Sequence, residues 1–186
     1  MIFQAVDIIR QELKNNGINA ELGNICEIVN DPNNNGVNGE VIISLINIEE
    51  NRISRDQNNF IRKDSGIILK NPAIYLNLTL LITSVRPTSG YGLSLQDLQG
   101  VVGVFQKKNV FDHSNTPTLD ANIEKLILDI YSLNLQQLHE IWSVLGGRYF
   151  PSLVYQMRMV TIDYISETRG PLIEEIRTDY FNIEQP

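Results

Sequence analysis

Cysteine is nearly absent: Cys26 is the only one in 186 residues. A single thiol excludes an intramolecular disulfide and a zinc site built on several cysteines. Histidine is almost as scarce, with only His113 and His139, so the imidazoles alone cannot supply three ligands to a catalytic zinc. Both lie far from Cys26 in sequence, and Cys26 reads as a small buried residue at the start of a strand. Cations are the minority sign, 15 Lys and Arg against 22 Asp and Glu, for a net charge of −7. Nucleic-acid binders neutralise phosphates with clustered Lys and Arg, and this balance argues against one. No apolar run reaches the roughly 18 residues of a membrane-crossing helix. The opening MIFQAVDIIRQELK mixes acids and amides into its apolar stretch, unlike a secretory leader. The expectation is a soluble protein made in the cytoplasm, with no membrane and no nucleic-acid partner.

What is present is enough for one domain. Apolar residues make up 42% of the chain, and the length suits a single core. Asn-rich stretches such as NDPNNNGVNG suit turns, because Asn tolerates left-handed backbone and bonds its own chain.

Ile2, Ala5, Val6, Ile9 and Leu13 recur at helical spacing and predict a helix over 2–14, stopped by Asn15-Asn16-Gly17. Ile25–Asn30 reads as a short strand and 31–39 as a loop. Val41–Ile53 carries apolar residues on both faces, as an interior strand does. Residues 54–71 are polar and read as a long loop, holding Arg55, Arg62, Lys63 and Lys70. Ile74, Leu76, Leu78, Leu80 and Ile82 alternate with polar residues and make 74–84 the clearest strand. Leu95, Leu98, Val102 and Phe105 predict a helix stripe ending near Lys107. A strand follows at 123–131. Asn134, with Gln137 three residues on, predicts a capped helix start. Leu135, Leu138, Ile141, Trp142 and Leu145 form that helix's stripe, closed by Gly146-Gly147. A last strand has Leu153, Tyr155, Met157 and Met159 on one side. The order α-β-β-β-α-β-α-β lacks strict βα alternation, so the fold class is α+β: one mixed or antiparallel sheet flanked by helices. The expected division is a domain over 1–165 and a C-terminal arm over 166–186.

Active-site patterns fail. His139-Glu140 begins like HExxH, but Ser143 stands where the second His must be. Gly92-Leu93-Ser94-Leu95-Gln96 lacks the final Gly of a nucleophile elbow, and Ser94 reads as a helix-start residue. No phosphate loop exists. The acids Glu49 and Glu50 stand beside Arg52 and Arg55. Paired acids can do acid–base work, but mixed charge at a strand exit more often marks a solvated or intersubunit edge. Tyr149 and Phe150 follow a Gly-Gly stop, where an aromatic plug serves either core or interface.

Four blocks in order resemble one family. They are GEVIISLINIEENR at 39–52, NPAIYLNL at 71–78, FQKKNVF at 105–111, and LHEIWSVLGGRYFPSLVYQMR at 138–158. They are similar to motifs of the cap, or tube-terminator, proteins of phage-tail-like contractile injection systems, the anti-feeding prophage and Photorhabdus virulence cassette type. The resemblance runs from about residue 5 to 165. It implies a phage tail-terminator-like fold and a non-enzymatic role with no catalytic residue, cofactor, metal or small-molecule substrate. It implies a homo-hexameric ring on the inner tube that stops tube growth and couples the last sheath layer to it. The implied partners are other copies of the chain, the inner tube protein and the sheath protein. The implied setting is the bacterial cytoplasm during assembly, then a particle that can be released. Family members carry Lys where Arg148 and Gln156 stand here, so Arg148 keeps the charge, Gln156 loses it and Arg158 is the remaining strand cation. The candidate interface residues are Glu49, Glu50, Arg52, Arg55, Arg148, Tyr149 and Arg158. Two alternatives stand beside the cap: a baseplate or collar adaptor ring of the same particle, and a small enzyme using Glu49, Glu50 and His139.

Overall fold

The computed structural model of the chain describes residues 1–30, 41–51, 60–63, 66–69, 75–86, 90–161 and 168–169. The first helix, α1 (Ile2–Asn15), buries Ala5, Val6, Ile8, Ile9 and Leu13, close to the expected stripe. Gly17 ends it at φ +82°, a left-handed conformation that glycine adopts without strain. The chain then runs β1 (Ala20–Leu22), α2 (Ile25–Asn30), β2 (Val41–Glu50), β3 (Phe60–Lys63), β4 (Gly66–Leu69), β5 (Tyr75–Ser84) and α3 (Tyr91–Lys107). It continues β6 (Val110–Asp112), β7 (Ile123–Ile130), α4 (Leu135–Val144), β8 (Ser152–Thr161) and β9 (Thr168–Arg169).

Six strands form one sheet in the order β1-β2-β5-β8-β7-β6. Only the β1–β2 pair is parallel; the rest are antiparallel. The architecture is the expected mixed α+β sheet. A smaller antiparallel sheet joins β3, β4 and β9.

Strand alternation sorts the core into two layers, because successive side chains point to opposite faces. Ile43, Leu78, Leu80, Ile82, Tyr155, Met157 and Met159 face the layer under α1 and α3. Ile42, Leu81 and Val154 face the other way, against Ile25 and Ile28 of α2 and Trp142 of α4. Each fully buried Leu or Ile contributes about 1.5–3 kcal/mol. Asp97 of α3 is held to the end of β5 by the Nε (2.6 Å) and Nη2 (3.0 Å) of Arg86 and the Oγ of Ser84 (2.8 Å). Burial pushes its carboxyl up, and the bonds from Arg86 and Ser84 outweigh that, leaving it below the usual value.

Four expectations need correction. Residues 25–30 are helical, not a strand. The side chain of Asn24 accepts from the Cys26 N–H (3.1 Å), and its carbonyl accepts from Glu27 N–H (3.1 Å), as at a helix start. Cys26 is therefore a half-buried residue of that helix. The stretch 54–71 is not one long loop: it contains β3 and β4, paired from Phe60↔Leu69 to Lys63↔Gly66. On α3 the buried residues are Ser94, Leu98, Val101, Val104 and Phe105, whereas Leu95 and Val102 are exposed. Ser94 thus lies one turn inside α3 rather than at its start. The residues just after Lys107, for which the periodicity predicts no strand, form the short β6 (Val110–Asp112). The expected loop at 31–39 lies outside the described residues, as does the arm except for β9.

Candidate assembly surfaces

The sheet register brings two of the candidate residues into one row. Glu49 pairs with Asn77, and Asn77 pairs with Arg158. Directly paired residues point to the same face, so Glu49 and Arg158 stand on one face two strands apart, about 10 Å. The Nη2 of Arg158 donates to Oδ2 of Asp129 at 2.7 Å. Both partners are about half exposed, 49% and 50%, and such a pair contributes at most about 1 kcal/mol. On β5, between Glu49 and Arg158, the Oδ1 of Asn77 is buried with no hydrogen-bond partner. Glu50 is exposed at the end of β2, paired in register with Leu76. Arg52 and Arg55 lie outside the described residues.

Arg148 and Tyr149 belong to a different surface, on the α4–β8 connection. Gly146 (φ +117°) and Gly147 (φ +75°) turn the chain there. The turn lays Tyr149 edge-on against Trp142 at 5.7 Å and Phe150 against the same indole at 6.0 Å. The guanidinium of Arg148 sits 5.6 Å from the Phe150 ring, within range of a cation–π contact. Phe150 packs on the core layer beneath α4, while Tyr149 remains 58% exposed. The two aromatics therefore split between core and surface. Ser152 and Arg158 are separated by six residues of β8, about 20 Å, so the described candidates divide between two surfaces.

Between these surfaces lies a cleft of ≈ 470 Å³, walled by α4, β2, β5 and β8. Ile46, Ile141, Val144 and Leu145 make it apolar, and Glu49 and Glu140 stand in its lining. His139 lines a separate depression with Leu135, Trp142 and Tyr149. Its Nε2 lies 3.4 Å from Ser143 Oγ. Glu49 and His139 thus do not converge, which the enzyme alternative requires. Among the described residues there is no group of three or more His, Cys, Asp or Glu placed to hold a metal. Nor is any helix among them long and apolar enough to cross a membrane.

The sequence pattern does not show which apolar residues stay exposed. Tyr91, Leu95 and Val102 fall on one stripe of α3 and are exposed, next to the buried arc. Val102 and the exposed Ile130 line a smaller depression of ≈ 350 Å³ at the β7 side of the sheet. A helix stripe wider than its buried arc is the only signal that could have shown this. Leu45 and Ile48 are exposed on β2 at the opposite side.

The family model for the Pvc16 N-terminal domain matches residues 5–175. A search of the curated proteins found no match. Among solved structures, the chain is similar to the sheath/tube terminator, in its extended state, of the PVC extracellular contractile injection system. The TM-score is 0.62 at 15% identity, over 100% of this chain and 66% of that one. It is also similar to the tube-terminating cap of the anti-feeding prophage, with a TM-score of 0.53 at 16% identity, over 75% of this chain and 48% of that one. The chain thus spans less than two thirds of either protein's length, and at these identities the likeness is one of fold.

Proposed function

We propose, from the premise that the chain belongs to the Pvc16 N-terminal domain family, that it closes the inner tube of a contractile injection particle. In this reading it forms a terminal ring of six copies and ties the last sheath layer to the tube. The observation that carries the reading is that the fold of the whole chain, rather than one motif, is shared with a sheath/tube terminator.

The physical logic is one of surfaces. A ring needs two different, complementary patches on each copy and a rotation that closes. The sheet has exposed apolar residues at both of its sides, Leu45 and Ile48 on β2 and Ile130 with Val102 at β7. Termination needs one face that matches the tube end and another that does not repeat the tube's stacking surface. Such a role is structural and calls for no catalytic group. Glu49, Glu50, Arg52, Arg55, Arg148, Tyr149 and Arg158 are assigned to contacts with neighbouring copies, tube or sheath. Residues 1–165 make up the cap domain and 166–186 an arm that adds to contacts between copies. Assembly takes place in the bacterial cytoplasm.

Electron microscopy of particles made with and without the gene tests the reading. Tubes and sheaths of uncontrolled length, or sheaths detached from tubes, are expected in its absence. Particles of normal length with intact distal ends would overturn it.

A further inference from the structure

Beside β2 lie an uncovered strand edge and a groove that the terminator role does not require. We infer that a groove along β2 accepts an extended segment of a partner protein in which apolar residues alternate with Lys or Arg.

The first observation is an incomplete edge. β1 covers β2 only from Val41 to Ile43. Just beyond, Gly23 N–H donates to the Ile43 carbonyl at 3.2 Å, and Ser44 Oγ donates to the Gly23 carbonyl at 2.6 Å. From Leu45 to Glu49 no strand among the described residues pairs with β2 on that side. Among the described residues, five residues of strand, about 17 Å, are thus left uncovered. An unpaired edge with exposed apolar residues is a template for strand addition through main-chain hydrogen bonds. Leu45 (37% exposed) and Ile48 (47% exposed) supply that character, and their pairing with Leu80 and Leu78 puts both on the sheet face of α1 and α3.

The second observation is a trough beside this edge. The cleft of ≈ 470 Å³ adjoins another depression of ≈ 370 Å³. The two share Ile46 and Leu145 in their linings, so they form one groove from Ile25 and Leu45 at one end to Glu49 and Glu140 at the other. A register shift between Leu45 and Asn47 inserts Ile46 as an extra residue. Such a bulge re-aims a side chain, and Ile46 is the β2 residue common to both halves of the groove. A strand laid against the edge presents alternate side chains to opposite faces, so its apolar set meets Leu45 and Ile48 while the intervening side chains meet Glu49 and Glu140 in the groove.

Charge fixes the remaining chemistry. The described lining of the groove includes two carboxylates, Glu49 and Glu140, and no Lys, Arg or His. Glu49 accepts from the neutral amide of Asn47 (2.7 Å) and Glu140 from that of Gln136 (2.9 Å), so their negative charge is not neutralised there. Complementary charge on the incoming strand improves capture and excludes acidic segments.

The test uses the purified full chain and two fluorescein-labelled hexapeptides, one alternating isoleucine with lysine and one alternating isoleucine with glutamate. Fluorescence anisotropy should show binding of the lysine peptide and at least about tenfold weaker binding of the other. Glu49→Lys should weaken the lysine peptide about tenfold. Glu124→Lys, which changes net charge equally at an exposed position of β7, should alter it less than about twofold. Hydrogen exchange should show the amides of Leu45–Glu49 protected on binding. Equal losses in the two variants, equal binding of the two peptides, or no protection of β2 would overturn the inference. So would protection of those amides at high protein concentration without peptide, which would give the edge to a second copy. None of these outcomes depends on the terminator role, which particle morphology tests separately.

Discussion

The two faces of the six-stranded sheet are built from the same strands and finish differently. The face under α1 and α3 is closed by long apolar helices and buries Leu78, Leu80, Ile82, Met157 and Met159 almost completely. The face under the shorter α2 and α4 is covered at one end only. There the Nε1 of Trp142, the Oγ1 of Thr83 and the Oδ1 of Asn77 are buried without partners, and a groove remains open beside α4. An unsatisfied buried polar group costs stability, and open apolar surface gains none. The difference teaches that the first face is sealed over its centre and leaves apolar surface only at its margins, at Leu45, Ile48 and Ile130, while the second keeps an open groove.

The largest expected effect breaks the closed face. Leu80→Ala removes a fully buried side chain and should cost about 2–5 kcal/mol in urea unfolding. Val144→Ala, at an exposed wall of the groove, should stay within about 0.5 kcal/mol. Similar losses at the two positions would end the distinction between the faces.

A pH experiment sharpens it. Tyr155 is buried on the closed face, edge-on to Phe105 at 5.2 Å, and burial pushes its phenol up to about 12. The unfolded phenol titrates near 10, so the folded pKa is the raised one. Its contribution is complete below about pH 10 and is lost as pH rises towards 12. The loss should be about 2–3 kcal/mol. Tyr155→Phe should remove this alkaline dependence from the Tm profile, and an unchanged profile would place the phenol in water.

The smallest effect lies on the open face. Asn134 accepts from Gln137 N–H (2.8 Å), and the Gln137 side chain accepts from Asn134 N–H (3.0 Å). Asn134→Ala should cost about 1 kcal/mol by urea unfolding. Fraying the first turn of α4 should also raise hydrogen exchange in that helix. Exchange that rises equally in α1 would show that the two faces unfold as one unit.

Much of this was legible in the sequence, and the physical reason is locality. The stripe of α1, the Gly17 stop, the alternation of β5, β7 and β8, and the Asn134–Gln137 box are patterns within a few residues. The chain could hardly have formed other elements there. The helical start at Asn24 was equally local, with Glu27 three residues on, but Ile25, Ile28 and Val29 resembled a strand. The site was less legible. Glu49 and Arg158 were both named, yet nothing local showed that β5 stands between them and aligns both with Asn77.

By itself, then, the sequence determined the α+β class, the long strands and two of the capped or stopped helix ends, because hydrogen-bond geometry and side-chain period act over a few residues. Only the tertiary structure decided which arc of α3 is buried, since Val101 and Val104 face the sheet while Leu95 and Val102 do not. It alone decided that β1 is too short to cover β2, and that α4 leaves a groove beside Ile46. Those outcomes depend on which strands neighbour one another and how far each helix reaches across them, and burial follows from those distances rather than from any residue's own preference.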